Sequence, residues 1–146
     1  MATLGTLLAP DLMTPGSCWQ LQMAVNGYSG PTGLSLTTQA FRGRGFRILD
    51  QREQRLRVEL LEDGYRCWLD TEVVTGKAEQ RGPWQPTLLA EAEIEGRIPA
   101  VLAWSERAEE KPNTYLWGGT TEPDMDCSGL MQLAFASQDI WIPRDA

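Results

Sequence analysis

The sequence predicts an α+β chain, a small antiparallel β-barrel followed by a helical segment. Three observations carry that expectation. Residues 18 to about 80 form short strand-like runs separated by turn signals, Gly82-Pro83-Trp84-Gln85-Pro86 interrupts them, and two helix-forming runs follow. Strands this short and this regularly punctuated, with no helix between them, indicate a small all-β unit such as a barrel or sandwich.

Taken in order, Met1 to Thr14 has no basic leader region, and Gly5, Pro10 and Asp11 break its apolar stretch, so it is a poor secretory signal. Cys18 to Val25 alternates apolar and polar residues and predicts a strand, ended by Asn26-Gly27 and Ser29-Gly30-Pro31. Leu34 to Phe41, Phe46 to Leu49, Leu56 to Leu61 and Tyr65 to Leu69 follow, bounded by Gly33, Gly43-Arg44-Gly45, Asp50-Gln51 and Asp63-Gly64. Cys18 and Cys67 each adjoin a tryptophan in strand-like sequence, which assigns them to packing. The tryptophans, Trp68 and Trp117 included, are expected mostly in the core, where their size buries much area.

Pro83 and Pro86 fix an extended path that cannot serve interior strand pairing, so the linker lies there. Thr87 is then the expected cap of a first helix. Glu91, Glu93 and Glu95 suit its early turns, and Ile94, Ile98, Val101 and Leu102 recur at helical spacing. Gly96 and Pro99 predict a kink or restart near Arg97. A second helix is expected from Cys127 to about Ser137, with Asp126 as its N-cap and Leu130, Met131, Leu133, Ala134 and Phe135 packed.

Composition narrows the function. Of the residues, 42% are hydrophobic and 23% charged, ordinary values for a globular chain. A net charge of −7 argues against an electrostatic nucleic-acid binder. Arg42, Arg44 and Arg47 around Gly43 and Gly45 form a basic turn between two strands in an acidic chain. No run approaches the length of a membrane span. Cys18, Cys67 and Cys127 are few, odd in number and unpatterned for a metal site or a disulfide framework, which fits a reducing cytoplasm.

The chemistry concentrates between Tyr115 and Gln132. Tyr115-Leu116-Trp117-Gly118-Gly119 is followed by a short polar loop, and then Asp126-Cys127-Ser128-Gly129-Leu130 opens a helix. A cysteine at a helix N-terminus meets unpaired backbone N–H groups and the positive end of the helix dipole, which favour the nucleophilic thiolate. A buried packing cysteine is the ordinary alternative. The surrounding pattern speaks against it.

That pattern, Tyr115, Gly118, Gly119, Asp126, Cys127, Ser128, Gly129 and Leu130 with Trp141-Ile142-Pro143-Arg144 after the helix, resembles the NlpC-type cell-wall cysteine peptidases. The likeness is to the subgroup with a bacterial SH3-like barrel before the peptidase, which hydrolyses the γ-D-glutamyl-diamino acid bond of peptidoglycan stem peptides. It implies an SH3-like barrel with its linker over residues 1–85, and over 86–146 the helical N-terminal part of a papain-like domain whose β-sheet is missing. It further implies that Cys127 is the nucleophile and that Tyr115 helps hold the oxyanion, a contribution of a few kcal/mol in such sites, on the order of 3. Asp126 and Ser128 then lie beside the substrate. Asp63 to Leu69 resembles the segment from which the subgroup's barrel sends a tyrosine, here Tyr65, over the groove to admit peptides with a free N-terminal L-alanine. The implied partner is an L-Ala-γ-D-Glu-diamino acid peptide, met in the cytoplasm during wall recycling, with no metal or cofactor, no nucleic acid and no membrane.

One departure matters as much as the match. Papain-type chemistry needs a base, in this family a histidine, and the chain contains none. The family's histidine follows the cysteine helix, so it is expected to be absent by truncation, and the chain alone is expected to be inactive. Three readings stand: the N-terminal portion of an endopeptidase, a non-catalytic wall-peptide-binding module, or a gene remnant.

Overall fold

A computed structural model describes residues 5–84 and 87–145. Seven strands, β1 (Cys18–Leu21), β2 (Val25–Tyr28), β3 (Leu36–Ala40), β4 (Gly45–Arg52), β5 (Arg55–Leu60), β6 (Arg66–Asp70) and β7 (Ala78–Arg81), form one sheet in the order β3-β2-β6-β5-β4-β1-β7. Every neighbouring pair is antiparallel. A one-turn helix, α1 (Thr71–Val74), joins β6 to β7, and α2 (Glu91–Glu110) and α3 (Cys127–Ala136) follow the sheet. The chain is thus α+β, with an antiparallel sheet and two main helices.

The sheet forms because alternate residues share one apolar face. In the β4–β5 ladder Phe46 opposes Leu60 and Ile48 opposes Val58, and all four are buried. The register shifts between Ile48 and Asp50, an irregularity that bends β4. Trp19, Leu21 and Ala78 from one end of the sheet and Val25 and Ala40 from the other belong to one core cluster, so the sheet curls around a single interior. Among the described residues no pairing joins β3 to β7. The segment before β1 closes part of the core. Leu8 donates to the Ala78 carbonyl at 2.8 Å, and its side chain and that of Met13 are buried.

Several expectations are corrected. The Cys18 to Val25 run is two strands, because the chain turns at 22–24 and Val25 begins β2. Asn26-Gly27 lies inside β2 and does not end it: a Cβ on Gly27 would stand 2.9 Å from Cys67 Sγ, so the glycine admits a close neighbour strand. β4 runs through Asp50-Gln51 to Arg52, with the turn made at Glu53, whose φ is 52°. β7 and α1 had no clear sequence signal, since neither four-residue element is long enough to show a period. Gln85 and Pro86 of the expected linker, and with them the expected boundary at 85/86, lie outside the described residues.

In the helical part, α2 begins after Ala90, so Thr87 is not its cap, and it runs without a restart through Gly96 and Pro99 to Glu110. An interior proline costs about 3 kcal/mol. Packing along the helix offsets that cost: Val101 on α2, Ala134 on α3 and Ile140 form a second cluster, with Ile94, Trp104 and Phe135 against it. Met131 is exposed and not packed as expected.

Polar side chains join the two parts. Arg44 Nε donates to Glu62 Oε1 at 2.7 Å and Nη2 to Asp63 Oδ1 at 2.9 Å, all three side chains being almost fully buried. Its guanidinium also lies 5.0 Å from the ring centroid of Trp141, which follows α3. Gln132 of α3 reaches back, its Nε2 donating to Asp63 Oδ2 at 2.6 Å and to the Ile142 carbonyl at 3.1 Å. The expected basic turn is present at 42–43, but Arg44 is an interior anchor.

Candidate active site

The N-terminus of α3 is built by Asp126. Its backbone is extended, and its Oδ1 accepts from the Gly129 amide at 2.7 Å, satisfying one of the helix's orphan donors. Its Oδ2 accepts from the Gly118 amide at 2.8 Å, which folds the Tyr115–Gly119 loop over the helix end. Gly118 has a φ of 81°, and a Cβ on Gly129 would overlap the Gly119 carbonyl. The glycines flanking the cysteine are therefore required by backbone stacked directly on backbone.

Cys127 follows as the first residue of α3 and is exposed, whereas Cys18 and Cys67 are buried. It lies between two clefts. One, of about 160 Å³, is lined by Thr37 of β3, Tyr65 just before β6, and Tyr115, Trp117, Asp126, Cys127, Ser128 and Asp145. The second, of about 440 Å³, runs between α3 and the end of α2 and is lined by Ser105, Glu106, Glu109, Asn113, Pro123, Met125 and Leu130, with Tyr115 and Cys127 at its edge. All five residues singled out in the sequence, Cys127, Tyr115, Asp126, Ser128 and Tyr65, line the smaller cleft.

They differ in what they leave free. Tyr115 is 62% exposed, an open phenol at the junction of both clefts. The Tyr65 hydroxyl shares a 2.6 Å hydrogen bond with Thr37 Oγ1. Asp126 is 8% exposed and is engaged by the Gly118 and Gly129 amides and by Arg144 Nη2 at 2.9 Å. Ser128 Oγ meets Asp126 Oδ1 and Arg144 Nη1. Trp117, expected in the core, is 71% exposed at the cleft rim, because the loop that carries it is pinned through its backbone and not through its ring.

The electrostatics follow from these partners. Burial pushes the Asp126 carboxyl up, but the Arg144 hydrogen bond, the Gly129 and Gly118 amides and the Arg144 charge outweigh it and hold the group below the ordinary aspartate value. Burial raises the Tyr65 phenol, and Asp145 adds to that against the lowering by Thr37 and Arg144. The Cys67 thiol, buried in the sheet core, is pushed up to about 12. Arg144, Thr37 and Asp145 were not named as site residues from sequence. The signal for Arg144 was a charge ending the apolar run Ile140-Trp141-Ile142-Pro143, and Gln132 within the apolar face of α3 was its counterpart.

An exposed cysteine at a helix N-terminus, with a tyrosine beside it and a cleft to either side, has the form of a thiol-hydrolase site. Comparisons with known proteins bear on the family. Residues 27–73 match the bacterial dipeptidyl-peptidase Sh3 domain, and residues 112–146 match the NlpC/P60 family, so the resemblance read from Tyr115 to Leu130 is borne out. The NlpC/P60 family is one of cysteine peptidases that act on peptidoglycan. Among solved structures the chain is similar to NlpC2 from Trichomonas vaginalis, with 12% identity over 90% of this chain and 70% of that one and a TM-score of 0.42. NlpC1 from the same organism matches with 13% identity over 99% and 70% and a TM-score of 0.45. An NlpC/P60 family protein from Bacillus cereus matches with 19% identity over 91% of this chain and 40% of that one, at a TM-score of 0.33. No match is found among curated proteins. Among the described residues no helix is long and apolar enough to cross a membrane.

Proposed function

We propose that this chain carries the nucleophile of a peptidoglycan stem-peptide hydrolase that cleaves the γ-D-glutamyl-diamino acid bond. The observation that carries this reading is Cys127, exposed at the start of α3 between two clefts with Tyr115 at their junction. The thiolate attacks the γ-carbonyl, and Tyr115 with the Cys127 backbone N–H holds the developing oxyanion. Asp126, Ser128 and Tyr65 receive the L-Ala end in the smaller cleft. The diamino acid leaves on the side of α2 as its amine takes up a proton, and water then hydrolyses the Cys127 thioester. Residues 1–85 act as an SH3-like unit that walls the groove, and 86–146 as the peptidase part, working on recycled wall peptides in the cytoplasm.

The chain holds no histidine, so an imidazole base has to come from outside these 146 residues, and the chain alone is inactive. The same observation favours a second reading, a module that binds wall peptides without cleaving them. Incubation with L-Ala-γ-D-Glu-diaminopimelate, with and without added imidazole, separates the two. Hydrolase ancestry predicts no turnover alone and slow release of diaminopimelate with imidazole, abolished in Cys127→Ser. Binding without rescue points to the module, and neither binding nor cleavage overturns both.

A further inference from the structure

One guanidinium joins the helix-side wall of the smaller cleft to the strand that carries Thr37 on its sheet side. Arg144 is 2% exposed, and its Nε donates to Thr120 Oγ1 at 2.8 Å and Thr38 Oγ1 at 3.1 Å. Nη1 donates to Ser128 Oγ at 2.5 Å, and Nη2 to Asp126 Oδ2 at 2.9 Å and the Gly119 carbonyl at 3.5 Å. Thr38 lies on β3, and its neighbour Thr37 holds the Tyr65 hydroxyl on the sheet side of the cleft. Asp126 and Ser128 flank Cys127 on the helix side.

We propose that Arg144 is the positioning residue for Cys127, locking the N-terminus of α3 to β3 so that Cys127 and Tyr65 face one cleft in a fixed register. The proposal deepens the functional reading above and rests on it for its relevance to substrate. Its physical basis is the shape of the guanidinium. Its three nitrogens, held in one rigid plane, reach five acceptors on three separate segments, the single Nε–H being shared between Thr38 and Thr120. The ammonium of a lysine cannot do this. Its charge is balanced inside by Asp126, and Asp145 Oδ1 stands 3.6 Å from Nη1 at the surface. The Thr38 and Thr120 hydroxyls, 3.2 Å apart, form a buried pair, and the Arg144 Nε between them ties Thr38 of β3 directly to the helix end.

The test uses the whole chain and no catalysis, so it stands or falls separately from the peptidase reading. In Arg144→Lys, carboxyl NMR of Asp126 should show its titration moving up toward that of an ordinary aspartate, with faster amide exchange at Gly118 and Gly129. Thr38→Val removes the Thr38 contacts with Arg144 and Thr120 and leaves in place the Gln39 contacts that tie Thr120 and Thr121 to β3. It should leave the Asp126 titration in place while the folded protein's Cys127 reacts faster with iodoacetamide, because β3 is then held to the helix end less firmly. A role confined to overall stability would leave the Cys127 rate unchanged in folded Thr38→Val. An unchanged Asp126 titration in Arg144→Lys, or an unchanged Cys127 rate in Thr38→Val, overturns the proposal; if Arg144→Lys does not fold, Thr38→Val alone decides.

Discussion

The two parts of the chain are held together by different physics. The curled sheet has a continuous apolar core that draws on every strand and includes Trp19, Phe46, Leu56, Leu60 and Leu69, each with essentially no exposed surface. The helical part has three buried residues in its cluster, Val101, Ala134 and Ile140, and is fixed to the sheet by buried polar groups, Arg144, Gln132, Asp63 and Arg44. Apolar burial supplies free energy without direction, whereas charged hydrogen bonds supply direction at little net gain. Stability therefore resides in the sheet, and the precise placement of Cys127 resides in the polar contacts between the parts.

The largest effect that would break this comparison is on the core. Trp19→Ala should cost about 3–5 kcal/mol and unfold the whole chain. Val101→Ala should cost about 1–2 kcal/mol, in line with the few methyl groups removed from a thin cluster. Chemical denaturation of both variants checks the pair. Equal losses would mean that the helical part contributes as much stability as the sheet.

A smaller effect concerns acid. Asp126 is held below its ordinary value of 3.8 in the folded chain, so on acidification the unfolded chain takes up this proton first. The stability this group adds is fully present above that ordinary value and is lost as pH falls through its lower, folded value. Asp126→Asn keeps a capping side chain but removes the charge, and should flatten that part of the acid limb in a pH series of unfolding midpoints. Parallel acid limbs would remove Arg144–Asp126 from the account.

How much of this was legible in the sequence depended on the range of the interaction. The Asp126 cap, the start of α3 at Cys127 and the glycines around the loop are local, and spacing within Tyr115–Leu130 was enough to read them. The turn at Glu53 was not, because Asp50-Gln51 has a stronger turn composition, yet cross-strand pairing to Leu56 and Arg57 carries β4 through it. The continuous α2 was misread for a similar reason, since Pro99 is a local signal overruled by packing on α3. Arg144 was noticed as part of a motif, but its partners lie on β3, on the loop before α3 and on α3 itself, and only the fold brings Thr38, Thr120 and Asp126 around one side chain.

The central claim is that Cys127 is the one thiol of this chain presented for chemistry, and limited alkylation of the folded protein near neutral pH tests it most directly. Cys18 and Cys67 are 4% and 2% exposed, and the Cys67 thiol is pushed up to about 12, so neither offers an accessible thiolate. Brief iodoacetamide treatment followed by peptide mapping should find the label on Cys127 first, with Cys18 and Cys67 labelled only after unfolding. Labelling of Cys18 or Cys67 ahead of Cys127 while the chain remains folded would contradict the assignment of the nucleophile.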